Sequence, residues 1–72
     1  MEDPRLLAAL KRGTSAMERG DWKTALIGYN EAIEIDPTNA TAYLIRANIH
    51  QKLGNTAQFM TDLAKYQSLK RS

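Results

Sequence analysis

The one histidine is the first residue to test for catalytic or metal chemistry. His50 is the single histidine of the 72 residues, and the chain has no cysteine. A histidine that binds metal or moves a proton is commonly accompanied on its helix by a partner, as in His-x-x-x-His or Glu-x-x-His. No such partner stands beside His50. We therefore interpret His50 as a partly packed or surface histidine, and we expect no metal site and no disulfide.

Three carboxylates near the middle of the chain are the closest approach to an acid/base pair. Glu31, Glu34 and Asp36 have the spacing of a solvated helix face that runs into a helix end. No glycine-rich loop follows a strand to cradle phosphate. The sequence therefore predicts a protein that is not an enzyme and that holds no cofactor.

Two arginines, Arg12 and Arg46, could bind phosphate or carboxylate. A long arginine stem more often lies along apolar surface with its charged head in water, so we interpret both as surface residues. The net charge of +2 is spread along the chain and forms no basic stripe. We therefore expect neither a nucleic acid nor a membrane as partner.

The ends and the hydropathy of the chain bear on its location. Residues 1–4 read Met-Glu-Asp-Pro, which is acidic and precedes no long apolar run, so we expect no signal peptide. No stretch approaches the roughly 18–20 apolar residues of a membrane span. The absence of cysteine fits a reducing compartment. Together these features predict a cytoplasmic protein.

Helix start and stop signals divide the chain into four segments. Aspartate or asparagine stands where a helix would begin, and glycine or proline stands where it would end. No segment shows the alternation of a strand. The predicted fold class is all-α, built of antiparallel helix–turn–helix units with helices over about 4–19, 21–35, 39–53 and 55–69.

The apolar patterns of the helices differ. The second predicted helix carries one stripe, made of Trp22, Ala25, Leu26, Tyr29, Ala32 and Ile33. The third is apolar over a wider arc, which a helix needs when it lies between two neighbours. We therefore predict a sequential stack in which the third helix is covered on both sides.

A shift of 34 residues superposes the helix breaks. It places Gly20 on Gly54, Asp21 on Asn55, Ala8 on Ala42, Arg12 on Arg46 and Ile35 on Leu69. A period of this length with two helices per unit is typical of helical repeats. We predict one domain over residues 1–72, with repeat one at about 6–39 and repeat two at about 40–72.

These motifs resemble the tetratricopeptide repeat (TPR) family. The matching residues are the turn Gly20-Asp21-Trp22, the second-helix set Ala25, Tyr29 and Ala32, the closing Pro37, the small Gly13, and Tyr43 with Ala47 in the next unit. Ala9 replaces the aromatic of the first helix. Phe59 and Tyr66 stand where the family usually has alanine, and such departures are typical of a terminal repeat.

The resemblance implies a scaffold for protein–protein interaction, similar to a co-chaperone module. Its concave groove would be lined by the first helix of each repeat and would bind a peptide or helix of another protein. The groove positions are Leu7, Leu10, Thr14, Met17, Glu18, Thr41, Leu44, Asn48, Gln51 and Lys52. An equally weighted alternative is that Leu7, Leu10 and Met17 pack in the core or against further chain beyond residues 1–72.

One use of the family is to clamp the C-terminal carboxylate of heat-shock chaperones. By resemblance, that clamp needs polar or basic residues where this chain has Thr14, Ile45 and Leu10. The clamp is thus largely missing. A partner helix or an extended apolar peptide is favoured over an acidic tail.

Two alternative functions stay open. Two repeats fall below the usual three needed for stability, so an exposed stripe of Phe59, Met60 and Leu63 could form a self-association edge and a homodimer. RNA binding, known in other helical-repeat families, is the weaker alternative because the chain has no basic stripe.

Overall fold

A computed structural model describes residues 3–71 of the chain. It contains four helices, α1 (Pro4–Glu18), α2 (Trp22–Ile35), α3 (Ala40–Leu53) and α4 (Thr56–Arg71), and no strand within the described range. The all-α prediction is confirmed. The helix bounds differ from the predicted ones by at most two residues, which is the usual uncertainty at helix ends.

Side-chain caps begin the first three helices. Asp3, Asp21 and Asn39 each accept a hydrogen bond from a backbone N–H two or three residues ahead, at 2.8, 3.2 and 3.1 Å. Hydrogen bonds from the side chain and the backbone of Thr24 lower the pKa of the Asp21 carboxyl. Because this folded-state pKa is lowered, the cap stabilises the fold at neutral pH and its contribution is lost as the pH falls below about 4.

The turns after α1 and α3 have the same geometry, 34 residues apart. Gly20 has a φ of +73° and Gly54 a φ of +80°, values that favour glycine. The N–H of the residue after Gly20 donates to the carbonyl of Ala16 at 2.8 Å, and the N–H of the residue after Gly54 donates to that of His50 at 2.8 Å. Both helices therefore end in the same Schellman-type cap, and the turn recurs at the predicted period.

The helices pack in chain order, α1 on α2, α2 on α3 and α3 on α4. The prediction that the third helix lies between two neighbours is confirmed. The buried apolar core joins the first three helices through Ala16, Ala25, Tyr29, Ile33, Ala42, Tyr43 and Ile49. From α4, Tyr66 and Leu69 pack against this core.

Two glycines allow a close approach of α1 and α2. A Cβ atom added at Gly28 would lie 2.7 Å from the Cα of Gly13, and one added at Gly13 would lie 2.6 Å from the ring of Tyr29. Both contacts are closer than real Cβ atoms make. The seam between the two helices therefore requires both glycines. The sequence identified Gly13 as the small residue of the first helix but did not single out Gly28.

Within residues 3–71, no helix combines the length and the hydropathy that a membrane crossing would need.

Candidate partner-binding surface

The predicted groove residues of α1 divide into exposed and half-buried side chains. Leu7 is 45% exposed, and Thr14 and Glu18 are also exposed. Leu10 and Met17 are half-buried and pack against the core. The sequence left open that Leu7, Leu10 and Met17 pack in the core. This alternative holds in part for Leu10 and Met17, whereas Leu7 lies at the surface.

Thr14 has a polar partner inside the fold. Its Oγ1 lies 2.8 Å from the hydroxyl of Tyr29, a ring that is 2% exposed. This hydrogen bond joins α1 to α2 and satisfies the one polar atom at the end of the buried tyrosine. Thr14 is therefore exposed at the surface and also stabilises the packing of α1 on α2.

The predicted groove residues of α3 form a more polar set. Thr41, Asn48, Gln51 and Lys52 are exposed, and Leu44 is half-buried. The structure places the α1 set on one helix and the α3 set on another, with α2 packed against both helices. A continuous groove across the two sets stays a prediction.

Charge on the ten predicted groove residues is balanced. Glu18 and Lys52 are the two charged members. The ammonium group of Lys52 lies 5.7 Å from the centroid of the Trp22 ring, within the range of a cation–π contact. The set as a whole is therefore neutral, and its cation is in contact with an aromatic ring.

Arg46 is bound inside the helix stack. Its Nε and Nη2 donate to the two carboxylate oxygens of Asp62, both at 2.7 Å, and its Nη1 donates to Asn30 at 3.1 Å. Its guanidinium also lies 5.5 Å from the centroid of the Tyr43 ring. The hydrogen bonds to Asp62 raise the pKa of Arg46, against an opposing effect of desolvation. The prediction of a surface arginine is wrong here, because a buried carboxylate on α4 faces the guanidinium.

His50 belongs to the same polar cluster. It is 9% exposed, its Nε2 lies 3.8 Å from a carboxylate oxygen of Asp62, and its Nδ1 lies 3.2 Å from the amide nitrogen of Asn55. In the described part of the chain, no three metal-ligating side chains are grouped to hold an ion. His50 is thus more buried than the partly packed or surface position that the sequence predicted, because Asp62 and Asn55 lie against its ring, and the cluster joins α3 to α4.

Sequence reasoning missed the Arg46–Asp62 pair, although a signal was present. Arg46 stands between Tyr43 and Ala47 on an apolar face, and Asp62 is next to Leu63 on the apolar stripe of the last helix. Asp62 is 3% exposed. A charge of each sign on two apolar faces that must meet predicts a buried ion pair.

Arg12 has a different environment from Arg46. Its Nη2 donates to Glu31 at 2.7 Å, and the two side chains are 49% and 44% exposed. This agrees with the prediction of a surface arginine. Arg12 and Glu31 also line an open pocket of about 320 Å³, together with Arg5, Ala8 and Ile35.

The predicted self-association edge is only partly exposed. Met60 is 63% exposed, whereas Phe59 and Leu63 are half-buried. The edge therefore presents one large exposed apolar side chain with two partly covered neighbours.

Comparison with known protein families identifies the family of this chain. A family model described as a TPR repeat matches residues 13–54. The match runs from the small glycine of α1, through the whole of α2, to the glycine that ends α3. The chain belongs to the tetratricopeptide repeat family. Repeats of this family generally mediate protein–protein interaction.

Two relatives among characterised proteins carry the same repeat. Tetratricopeptide repeat protein 36 of Danio rerio is 38% identical over 65 residues, covering 85% of this chain and 35% of that protein. The tetratricopeptide repeat and J domain-containing co-chaperone DNJ1 of Fusarium oxysporum f. sp. lycopersici is 38% identical over 61 residues, covering 85% of this chain and 12% of that protein. The chain therefore spans well under half the length of either relative.

Seen as a tetratricopeptide repeat, this chain keeps the second-helix signature in its core. Ala25 and Ala32 are fully buried and Tyr29 is 2% exposed. Under the 34-residue period, Asp62 stands where the first repeat has Gly28. The buried Arg46–Asp62 pair therefore joins α3 to α4 at the position where α1 and α2 approach each other closely.

Proposed function

We propose that this chain is a non-catalytic interaction module that binds a peptide or helix of a partner protein along α1 and α3. The observation that carries the proposal is the exposure of Leu7, at 45%, on the same helix as the half-buried Leu10 and Met17, with Leu44 half-buried on α3. Apolar side chains at a surface rimmed by polar ones are typical of an interaction site. Membership in an interaction-repeat family supports the same function.

The chemistry of the surface favours an apolar partner. Glu18 and Lys52 cancel in charge, and the Thr14 hydroxyl already has a hydrogen-bond partner in Tyr29. A neutral surface with leucine and methionine suits the apolar face of an amphipathic helix or an extended apolar peptide. The co-chaperone relative from Fusarium directs the first partner search to proteins that associate with chaperones. A cytoplasmic location stays a prediction of the sequence.

Leu7→Glu tests this surface. We expect the variant to lose its partner in a pull-down followed by mass spectrometry, because a carboxylate in an apolar contact must give up its hydration. Helicity in far-UV circular dichroism should be unchanged, since Leu7 is exposed. Leu7 is a better choice than Leu10, whose side chain also packs against the core.

Ile27→Glu is the matched control for this experiment. Ile27 is 60% exposed and lies on α2, which contributes no residue to the proposed surface, so the same change of an aliphatic residue to glutamate should leave the partner bound. Equal partner recovery by Leu7→Glu and by the parent chain would contradict the proposal. Tight binding of an acidic chaperone C-terminal peptide by the parent would contradict the apolar partner.

Self-association through the edge of α4 is the second candidate function. It is supported by the 63% exposure of Met60. On this proposal the chain sediments as a dimer at high concentration, and Met60→Lys converts it to a monomer because a lysine is costly to bury in an apolar contact. Gln58→Lys, at an exposed position of the same helix, should leave the dimer intact. Sedimentation of the parent as a monomer at high concentration would exclude this function.

A further inference from the structure

The first helices of the two repeats, α1 and α3, differ in how far corresponding residues are buried. The 34-residue period relates Ala8 to Ala42 and Arg12 to Arg46. Ala42 is 1% exposed and belongs to the core, whereas Ala8 is exposed. The side chain of Arg46 is 21% exposed and that of Arg12 is 49% exposed. The face of α1 that corresponds to the covered face of α3 is therefore open among the described residues.

A pocket marks this open face. Its volume is about 320 Å³, and its apolar lining comes from Ala8 and Ile35 while its polar lining comes from Arg5, Arg12 and Glu31. We name these five residues the α1 outer face; three of them lie on α1, and Glu31 and Ile35 lie on the adjoining α2. The residue 34 positions after Ile35 is Leu69, which packs against the core. The apolar part of the pocket thus corresponds to positions that are covered in the second repeat.

The helix that covers α3 shows what chemistry fits such a face. Helix α2 packs on α3, and Leu26 and Ile33 of α2 contribute apolar side chains to the same core as Ala42. Between them in sequence, Asn30 accepts a hydrogen bond from Nη1 of Arg46 at 3.1 Å. The covering helix therefore presents two apolar residues seven apart, with a side-chain acceptor four residues after the first.

We propose that the α1 outer face binds an amphipathic α-helix of a partner protein that has this same pattern. The acceptor of that helix would meet Arg12. Among the described residues, Arg12 uses only its Nη2, in the bond to Glu31, which leaves other guanidinium N–H groups for a second acceptor. This surface differs from the partner-binding surface along α1 and α3, so it adds a second interaction site to the module.

A second copy of the chain fits this face less well. Under the 34-residue period, Leu26, Asn30 and Ile33 of α2 correspond to positions 60, 64 and 67 of α4, where the chain has methionine, alanine and glutamine. Alanine at position 64 offers Arg12 no acceptor. Glutamine at position 67 replaces an apolar residue. The pattern therefore favours a helix of another protein over the α4 helix of a second copy.

The probe for this proposal is a capped peptide with the sequence of residues 21–36, which is α2 with its capping residues. It is titrated into the isotope-labelled full chain and followed by amide chemical shifts. We expect saturable shifts at the α1 outer face, centred on Ala8 and Arg12. Saturation is expected at high peptide concentration, because a short isolated helix must be ordered on binding.

Ala8→Lys and Ala64→Lys form a matched pair of variants. Both replace an exposed alanine, one on the first helix of the stack and one on the last, and add the same charge. We expect Ala8→Lys to weaken binding of the probe by about tenfold or more, because a lysine at this position occupies the volume that the bound helix must fill. Ala64→Lys should bind as the parent does.

A double-mutant cycle tests the acceptor. Replacing the asparagine of the peptide with alanine, as in Asn30→Ala, should weaken binding to the parent chain severalfold and should have no further effect on an Arg12→Met variant. Shifts centred on Thr14 and Asn48, the absence of saturable shifts, or equal binding by Ala8→Lys and the parent would overturn the proposal. Tighter binding of a peptide of residues 55–71 would overturn it in favour of a second copy.

Discussion

Replacing Arg46 with methionine is expected to lower the free energy of unfolding by about 3–5 kcal/mol. The change removes both hydrogen bonds to Asp62, which is 3% exposed and would be left as a buried charge with only the His50 ring nearby, at 3.8 Å. A 72-residue chain has a free energy of unfolding of only about 4–11 kcal/mol by its length. The variant should therefore lose a large share of its stability.

Urea denaturation followed by circular dichroism measures this loss. Arg12→Met is the control, because the Arg12–Glu31 pair is about half exposed and such pairs contribute about 0–1 kcal/mol. If Arg46→Met is unfolded outright, the double variant Arg46→Met with Asp62→Leu should recover structure, since neither charge is then left buried alone. Equal losses for the Arg46 and Arg12 variants would contradict the structural role of the buried pair.

Replacing Gly28 with leucine is expected to lower the free energy of unfolding by about 3 kcal/mol, at the upper end for overpacking. The Cβ atom alone would lie 2.7 Å from the backbone nitrogen and Cα of Gly13, and backbone atoms cannot move aside as a side-chain end can. Helices α1 and α2 must then separate along their seam. Leucine is a better helix former than glycine, so the loss would arise from packing alone.

The same denaturation experiment measures this effect. Ile27→Leu is the control, because Ile27 is the preceding residue on α2 and is 60% exposed. It should change the free energy of unfolding by less than about 0.5 kcal/mol. A Gly28→Leu variant as stable as the parent would mean that α1 and α2 do not depend on this close approach.

The helix limits were predictable because their signals are local. A cap such as Asn39 or a turn glycine such as Gly54 acts within a few residues of its own position, and a sequence displays such short-range signals directly. The 34-residue period was readable for the same reason, since it aligns those signals. The apolar stripe of α2 then predicted which side of that helix is buried.

Contacts between helices were harder to predict because they depend on how two faces meet. Gly28 is small on a helix that is otherwise rich in larger residues, and only the approach of Gly13 gives it a role. Arg46 and Asp62 are 16 residues apart in sequence, and their pairing needs the packing of α3 on α4. The partner-binding surface was equally hard to predict from the sequence. Whether Leu7 is exposed depends on how all the helices pack together.

The chain-order packing of the helices has a consequence for how the fold opens. Each helix packs on the one before it, so most contacts join residues close in sequence, which is the condition for fast folding. The end helices lose one neighbour when they detach, whereas α2 and α3 lose two, so amide hydrogens in the middle of the chain should exchange last. The two ends are not equivalent, because release of α4 breaks the buried Arg46–Asp62 pair, whereas release of α1 breaks the half-exposed Arg12–Glu31 pair. Charge pairing therefore favours opening from the amino-terminal side, the side that carries the α1 outer face.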